Sequence, residues 1–454
     1  MAKYFGTDGF RGESNVSLTA DHAYKIGRFL GWYLKKNKHI QSDNSTPKVV
    51  IGKDTRRSGY MLEYCLAGGL TASGCDAYLL HVTTTPCVSF ITRADSFDCG
   101  IMISASHNPY YDNGIKLFNS SGEKMSEDIT DLIEEYLDSK EMILPFALRD
   151  EIGKTVDYIA GRNRYIGYLI SLGMHSFKGI RVGLDCANGS VWNIAKSVFE
   201  ALGATVYLIG AEPDGLNINR EVGSTHIENL CSFVKENNLD IGFAFDGDAD
   251  RCLCVDEKGQ VVDGDRILYI AAVYLKKKDQ LAGNCIVSTV MSNLGLDKAL
   301  EKESIGNVRT QVGDRFVYEE IKKSGYRLGG EQSGHIIFSA YATTGDGLLT
   351  SLKVMEIMLS EKAKLSELTA NYKEYPQVII NVPTKNKYAL VDCASVKSAL
   401  KKAEVSLEGR GRVLLRASGT EPLVRIMAEA ESEELCRETV ESLAEVIRGC
   451  NDIL

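Results

Sequence analysis

KVVIGKDTRRSG, residues Lys48 to Gly59, is the stretch that decides the fold. An apolar run ends there in a polar, glycine-bearing loop, and the design returns as GIRVGLDCANGS (Gly179–Ser190) and GNCIVSTVMSNLG (Gly283–Gly295). Each copy is followed by a helix-like segment, Tyr60–Ala72, Val191–Leu202 and Leu296–Lys302, and then by a second β-rich run, DAYLLHV (76–82), ATVYLIG (204–210) and NVRTQV (307–312). A further helix-like stretch leads to a third strand in each unit: CGIMIS (99–104), DIGFAF (240–245) and YRLGG (326–330). Three βαβαβ units follow from this periodicity, an alternation that favours largely parallel sheets. After about residue 370 the pattern changes to QVIINVP, a helix over Val391–Ala403, GRVLLR, LVRIMAEA and a helix from Glu433 to about Arg448, which predicts a smaller α+β domain.

The composition bounds what such a chain does. A length of 454 residues exceeds one compact core and calls for several domains. Hydrophobic residues at 44% are ordinary, and no apolar run approaches the ~20 residues that span a bilayer, so no membrane partner is expected. The start, MAKYFGTDGFRG, lacks an apolar signal core, and the 12 Cys include no CxxC pair, which predicts a reducing cytoplasm. A net charge of -9 argues against nucleic acid; an anionic substrate would need Arg and Lys focused in loops.

In parallel α/β units ligands gather at the carboxyl ends of strands. The loops after the third strands are SASHNP (Ser104–Pro109), DGDADR (Asp246–Arg251) and GEQSGH (Gly330–His335), and the last domain adds RASGTEP (Arg416–Pro422). In DGDADR an extended chain would carry Asp246, Asp248 and Asp250 to one side. Three converging carboxylates need a cation, and all-oxygen ligation suits a hard ion such as Mg²⁺. A solvated acidic turn is the bland alternative; an EF-hand, with Glu257 at its twelfth position, fails because Arg251 stands where that loop needs Gly. RASGTEP sets Arg416, Ser418 and Thr420 around Gly419, with Arg425 on the next strand, a composition suited to phosphate or equally to a simple hairpin. GEQSGH offers carboxylate, amide, hydroxyl and imidazole groups for sugar hydroxyls, or is merely a glycine-flanked turn. SASHNP lacks the G-x-S-x-G of a nucleophile elbow and reads either as an Asn-Pro turn or as a serine that exchanges a phosphoryl group; the residues alone leave Ser104 and Ser106 both open.

SASHNPYYDNGIK, AFDGDADR, GEQSGH and RASGTEPLVRIM, in this order across the whole chain, resemble the α-D-phosphohexomutase superfamily. Within it, KYFGTDGFRG, GKDTRRSGYMLE, VGDR (Val312–Arg315) and GEQSGH are similar to the bacterial phosphoglucosamine mutase branch. The resemblance implies three similar α/β domains with mixed sheets and a C-terminal α+β domain like the TATA-binding protein, around a central cleft. With the repeat, it divides the chain at 1–155 (phosphoserine loop), 156–256 (metal loop), 257–370 (sugar-recognition loop) and 371–454 (phosphate loop). It makes Ser106 the phosphoserine, whose phosphate completes a Mg²⁺ shell with Asp246, Asp248 and Asp250. Glu331 and Ser333 match the sugar-hydroxyl readers. Arg416, Ser418, Gly419 and Thr420, with Arg425 added, match the holder of the non-reacting phosphate. Arg11, His107, Lys116 and His335 match the groups from which general acid and base are drawn.

The chemistry implied is interconversion of glucosamine 6-phosphate and glucosamine 1-phosphate through a 1,6-bisphosphate, on the route to UDP-N-acetylglucosamine, with glucosamine or glucose 1,6-bisphosphate as activator. The partner is then a small sugar phosphate, and a homodimer is allowed. Three rivals stand beside this reading: a phosphoglucomutase or phosphomannomutase, a Mg²⁺-dependent phosphatase, and a non-catalytic sugar-phosphate binding protein.

Overall fold

The computed structural model describes residues 3–451 apart from Thr7, residues 41–44, Lys140, Lys385 and residues 419–421. Two compact units divide the chain: Met1–Met291 with Asn307–Thr369, and Ser292–Gly306 with Ala370–Leu454. No helix among the described residues is long and apolar enough to cross a membrane.

The first unit carries the three repeats. Strands Lys48–Lys53, Cys99–Ile103, Ile241–Phe245 and Cys285–Thr289 are buried along almost their whole length. Covered on both faces, they read as continuous apolar runs rather than as an alternation. The first sheet has seven strands, with Lys48–Lys53 parallel to both Asp76–Val82 and Cys99–Ile103. The second has five, with Arg181–Asp185 between Thr205–Ile209 and Ile241–Phe245 and parallel to both. In the third, of four strands, Cys285–Thr289 runs parallel to Leu328–Gly330.

What makes each sheet mixed also places the chemistry. Directly after its third strand each unit turns back into an antiparallel strand: Cys99–Ile103 into Asp112–Asn119, Ile241–Phe245 into Cys252–Val255, and Leu328–Gly330 into Ile336–Phe338. SASHNP, DGDADR and GEQSGH are these three connections, so each polar loop occupies the same place in its unit.

The second unit is a three-stranded antiparallel sheet in the order Gln377–Pro383, Leu423–Ala430, Gly411–Ala417. Helix Glu433–Asn451 lays Val440, Leu443 and Ile447 against Val382, Val424 and Ile426 of that sheet. The segment around Leu294–Lys302 is tied into this unit by Leu294 N donating to Glu429 (2.9 Å) and Asn293 Nδ2 donating to Tyr375 O (3.0 Å).

Two expected helices differ. The one foreseen over Val191–Leu202 forms only at Ala195–Ala201, because Ser190 N is first committed to Gly247 O (2.8 Å) and the chain turns before it can wind. The one foreseen over Val391–Ala403 is two helices, Lys387–Asp392 and Ala394–Ser406, broken at Cys393, whose ψ of 133° is extended.

Candidate active site

Ser106 has φ 51°, in the left-handed region that a non-glycine residue enters only when its surroundings hold it there. Two side chains do so. The buried Arg56 guanidinium donates to the carbonyls of Ser106 (3.1 Å) and Asn108 (2.6 Å), and Asn219 Nδ2 donates to the same two oxygens (2.9 and 3.0 Å). Ser104 Oγ accepts from Ser106 N (2.9 Å), so its hydroxyl is spent on the loop itself. The left-handed turn directs Ser106 Oγ to Asp246 Oδ2 at 2.5 Å, with His107 Nδ1 3.3 Å away. Gly247 passes so near that a Cβ there would lie 2.5 Å from Ser106 O.

Asp246, Asp248 and Asp250 present carboxylate oxygens within 4.8 Å of one another, and all three residues are buried. The route to that convergence corrects the extended-strand expectation. The strand stops at Phe245, and a tight turn with Ala249 at φ 57° gathers the three side chains. Burial, then the charges of Asp250 and Asp248, push the Asp246 carboxyl well above the usual range, the cost of crowding anions out of water. Asp248 Oδ1 and Asp250 Oδ1 are buried without a hydrogen bond, the latter with only the His335 ring 3.7 Å away. Orphaned carboxylate oxygens in an all-oxygen cluster fit a hard divalent cation. Glu257 takes no part; it accepts from Ser366 Oγ (2.6 Å).

Cations from the first sheet flank the cluster. Lys116 lies opposite Met102 on the return strand, and its Nζ meets Asp248 Oδ2 (2.8 Å), Asp250 Oδ2 (3.0 Å) and Asp8 Oδ2 (3.1 Å). Burial opposes its charge, but those carboxylates hold the ammonium protonated far above its usual range. Arg11 pairs with Asp8, and Asp8 is held well below the ordinary carboxylate range because Lys116, Lys124 and Arg11 overcome the burial that would raise it. Burial, then Arg251 and Arg11, bring His107 down to about 4, and Arg251 Nη1 lies 3.1 Å from its Nδ1. The ring is therefore neutral at pH 7. His335 behaves oppositely: burial disfavours its charge, yet Asp314 and Asp250 raise it to about 9. Gly345 N points at its Nε2 (2.9 Å), so in the neutral ring Nδ1 carries the proton.

A cleft of about 490 Å³ opens beside these groups, lined among others by Arg11, Asp250, Arg251, Glu331 and His335. Glu331 Oε1 accepts from Gly313 N (3.1 Å), which joins GEQSGH to VGDR, while Ser333 stands exposed at the loop tip. In the second unit, Arg416 and Arg425 face each other as a cross-strand pair, and Arg425 Nε donates to Asn381 Oδ1 (2.9 Å). Ser418 is buried, its N donating to Leu423 O (3.0 Å). Gly419 and Thr420 lie outside the described residues.

Several residues here carried no signal of their own. Arg56 lay in the quoted KDTRRSG loop, as one arginine among two. Asp8 and Asp314 lay inside the quoted KYFGTDGFRG and VGDR stretches without being singled out, Asn219 sits in an unremarkable polar stretch, and Thr85, whose hydroxyl donates to Asp248, begins a helix.

Models of the phosphoglucomutase/phosphomannomutase family match the chain four times: alpha/beta/alpha domain I over residues 2–143, domain II over 163–259, domain III over 263–375 and the C-terminal domain over 379–446. The chain belongs to the phosphoglucomutase/phosphomannomutase family, with its three alpha/beta/alpha domains and a fourth at the C-terminus. Curated relatives include the phosphoglucosamine mutases of Lachnospira eligens, 60% identical over 449 residues, and of Bacillus subtilis, 49% identical over 449, each match covering 99% of both chains. Among solved structures, a phosphoglucomutase/phosphomannomutase family protein from Burkholderia thailandensis superposes with TM-score 0.81 at 24% identity, over 99% of this chain and 98% of that one. Aspergillus fumigatus N-acetylphosphoglucosamine mutase, in complex with GlcNAc-6P and magnesium, gives 0.62 at 18% identity over 99% and 96%. These two structures share the fold.

Proposed function

We propose that the chain interconverts glucosamine 6-phosphate and glucosamine 1-phosphate, with Ser106 as the residue that carries the phosphoryl group. The observation that bears most of this weight is Ser106 Oγ, turned by a left-handed backbone onto Asp246 at the edge of a buried carboxylate triad. Full-length relatives that are phosphoglucosamine mutases support the choice of sugar. Division of the chain at residues 155, 256 and 370 belongs to the same reading.

In this mechanism phosphorylated Ser106 gives its phosphoryl group to the free sugar hydroxyl: the P–Oγ bond breaks as Ser106 Oγ takes a proton from a neighbouring acid, a P–O bond to the sugar forms, and the hydroxyl proton passes to a neighbouring base. The 1,6-bisphosphate turns round, and Ser106 Oγ takes the other phosphoryl group back. Asp246, Asp248 and Asp250 would hold Mg²⁺, which supplies charge neutralisation at the transferring phosphoryl oxygens. Phosphoryl transfer is mainly positioning and charge stabilisation. Arg56 and Asn219 therefore fix the loop, and Lys116 and Arg251 supply positive charge beside the reacting oxygen. Arg11, His107, Lys116 and His335 are the groups from which the acid and base come, and Glu331 and Ser333 read the sugar hydroxyls. Arg416 and Arg425 bring two guanidinium groups to neighbouring places on the sheet, a composition that fits an anion; with Ser418, Gly419 and Thr420 they would take the phosphate that is not moving. Burial of Ser106, 1% exposed, keeps water from the phosphoserine, a property a phosphatase would not want. The reading extends to a cytoplasmic location, in keeping with twelve unpaired cysteines.

Purified protein incubated separately with glucosamine 6-phosphate and glucose 6-phosphate, with a bisphosphate activator, tests it. A higher specificity constant for the amino sugar is expected; a clear preference for glucose or mannose phosphate would make the chain a phosphoglucomutase or phosphomannomutase.

A further inference from the structure

Ten of the twelve cysteines are scattered through strands, helices and the ends of strands, most of them buried, and burial drives the thiols of Cys75, Cys87, Cys99, Cys186 and Cys252 up, to about 12 at Cys87 and Cys99. Such thiols are inert. Cys393 and Cys450 differ in place and in company. Cys393 occupies the break between Lys387–Asp392 and Ala394–Ser406, and Cys450 lies on the last turn of Glu433–Asn451. Both are only partly buried, at the rim of the second unit's core. Their sulfurs stand 3.9 Å apart, with Ser395 Oγ 3.1 Å from one and 3.0 Å from the other.

We propose that Cys393 and Cys450 form a redox-active dithiol that peroxides oxidise reversibly to a disulfide within one chain. The site shares no residue with the phosphoryl chemistry, and every residue it needs lies in the second unit. Cys393 is the attacking sulfur. The Ser395 hydroxyl, then the N–H groups of Ser395 and Val396 at the start of the helix, bring its thiol down to about 7, although the thiol forms no cap hydrogen bond of its own. Thiolate is the nucleophile in such chemistry, and a value near neutrality gives both population and reactivity. The Cys393 thiolate attacks the peroxide: an S–O bond forms, the O–O bond breaks, and the departing hydroxide or alkoxide takes up a proton. Cys450 sulfur then attacks the resulting sulfenic acid. An S–S bond forms, the S–O bond breaks, and hydroxide leaves as water with the proton of Cys450. Two thiols have lost two electrons, and one hydrogen peroxide has become two waters. The short approach and the bridging hydroxyl favour this second step over further oxidation of Cys393.

The product would tie the two ends of a 57-residue separation, closing a long loop in the unfolded chain and raising the resistance of the second unit to heat. The full-length protein is treated with substoichiometric hydrogen peroxide, alkylated, digested and mapped without reduction. A peptide linking Cys393 to Cys450 is expected, with a loss of about 2 Da that dithiothreitol reverses. Cys450→Ser should instead leave a sulfenic acid on Cys393 that a dimedone probe captures, and Cys393→Ser should leave Cys450 alkylatable after the same treatment. Cross-linking between chains on a non-reducing gel, oxidation mapped first to other cysteines, or sulfinic acid at Cys393 with Cys450 intact would each overturn the proposal.

Discussion

The serine loop of the first unit and the arginine pair of the second handle charge in opposite ways. Around Ser106 the cations are set against carboxylates already in place: Arg56 on Asp54, Lys116 among Asp8, Asp248 and Asp250, and the half-buried Arg11 on Asp8. Arg416 and Arg425 face each other across two strands, both partly exposed to solvent. A preorganised, buried network has little freedom to respond to substrate, which suits a step that demands fixed atoms. Two guanidinium groups brought together at a partly exposed sheet surface attract an anion from solvent, which suits capture and release.

Removal of the reacting atom tests the first region most severely. Ser106→Ala should lose kcat by about a thousandfold or more, while calorimetry still detects sugar phosphate binding; undiminished turnover would remove the serine from the chemistry, whereas Ser104→Ala should keep a phosphoenzyme by intact mass. Next in size, Asp248→Asn should weaken Mg²⁺ binding and lower turnover by roughly a hundredfold with little change in the circular dichroism of the folded protein. Wild-type turnover at limiting Mg²⁺ would exclude the triad as a metal site. The second region sharpens the comparison by a different signature. Arg416→Ala should raise KM by about tenfold, equal to about 1.4 kcal/mol of binding, leave Mg²⁺ binding untouched, and raise stability slightly, by about 0.2–1 kcal/mol, through loss of the facing charge; equal substrate affinity in the two proteins would strike this loop from the site. Smallest is Asn219→Ala, which leaves the Ser106 and Asn108 carbonyls to Arg56 alone. A loss of roughly 1 kcal/mol in urea unfolding and a drop in kcat without a change in KM are expected, and an altered KM would mean that Asn219 touches substrate.

The sheets were legible because buried parallel strands announce themselves as apolar runs, and Lys48–Lys53, Cys99–Ile103 and Ile241–Phe245 begin and end where such runs do. The four polar loops were legible as composition, and for SASHNP, DGDADR and GEQSGH a common position after the third strand is a property of topology that the repeat already carried. Local backbone was not. Nothing in SASHNP requires φ 51° at Ser106, because the residues that impose it, Arg56 and Asn219, lie far away in the chain. The carboxylates of DGDADR converge through a turn at Ala249, not through the period of an extended strand, so the right cluster was reached by the wrong geometry. The helix over Val391–Ala403 had continuous helical periodicity, and only the extended ψ at Cys393 divides it.

Because any Cβ at Gly247 would meet the Ser106 carbonyl oxygen at 2.5 Å, the serine loop and the carboxylate loop should constrain each other's evolution as well as each other's place. Neither can drift alone: a side chain added at Gly247 would tilt the Ser106 peptide, and a reshaped serine turn would open a gap that glycine cannot fill. Recombination between distant homologues should therefore tolerate a crossover on either side of this pair of loops far better than one that separates them. A chimaera that took residues 104–109 from one parent and 246–251 from another would inherit two intact motifs and a misaligned contact.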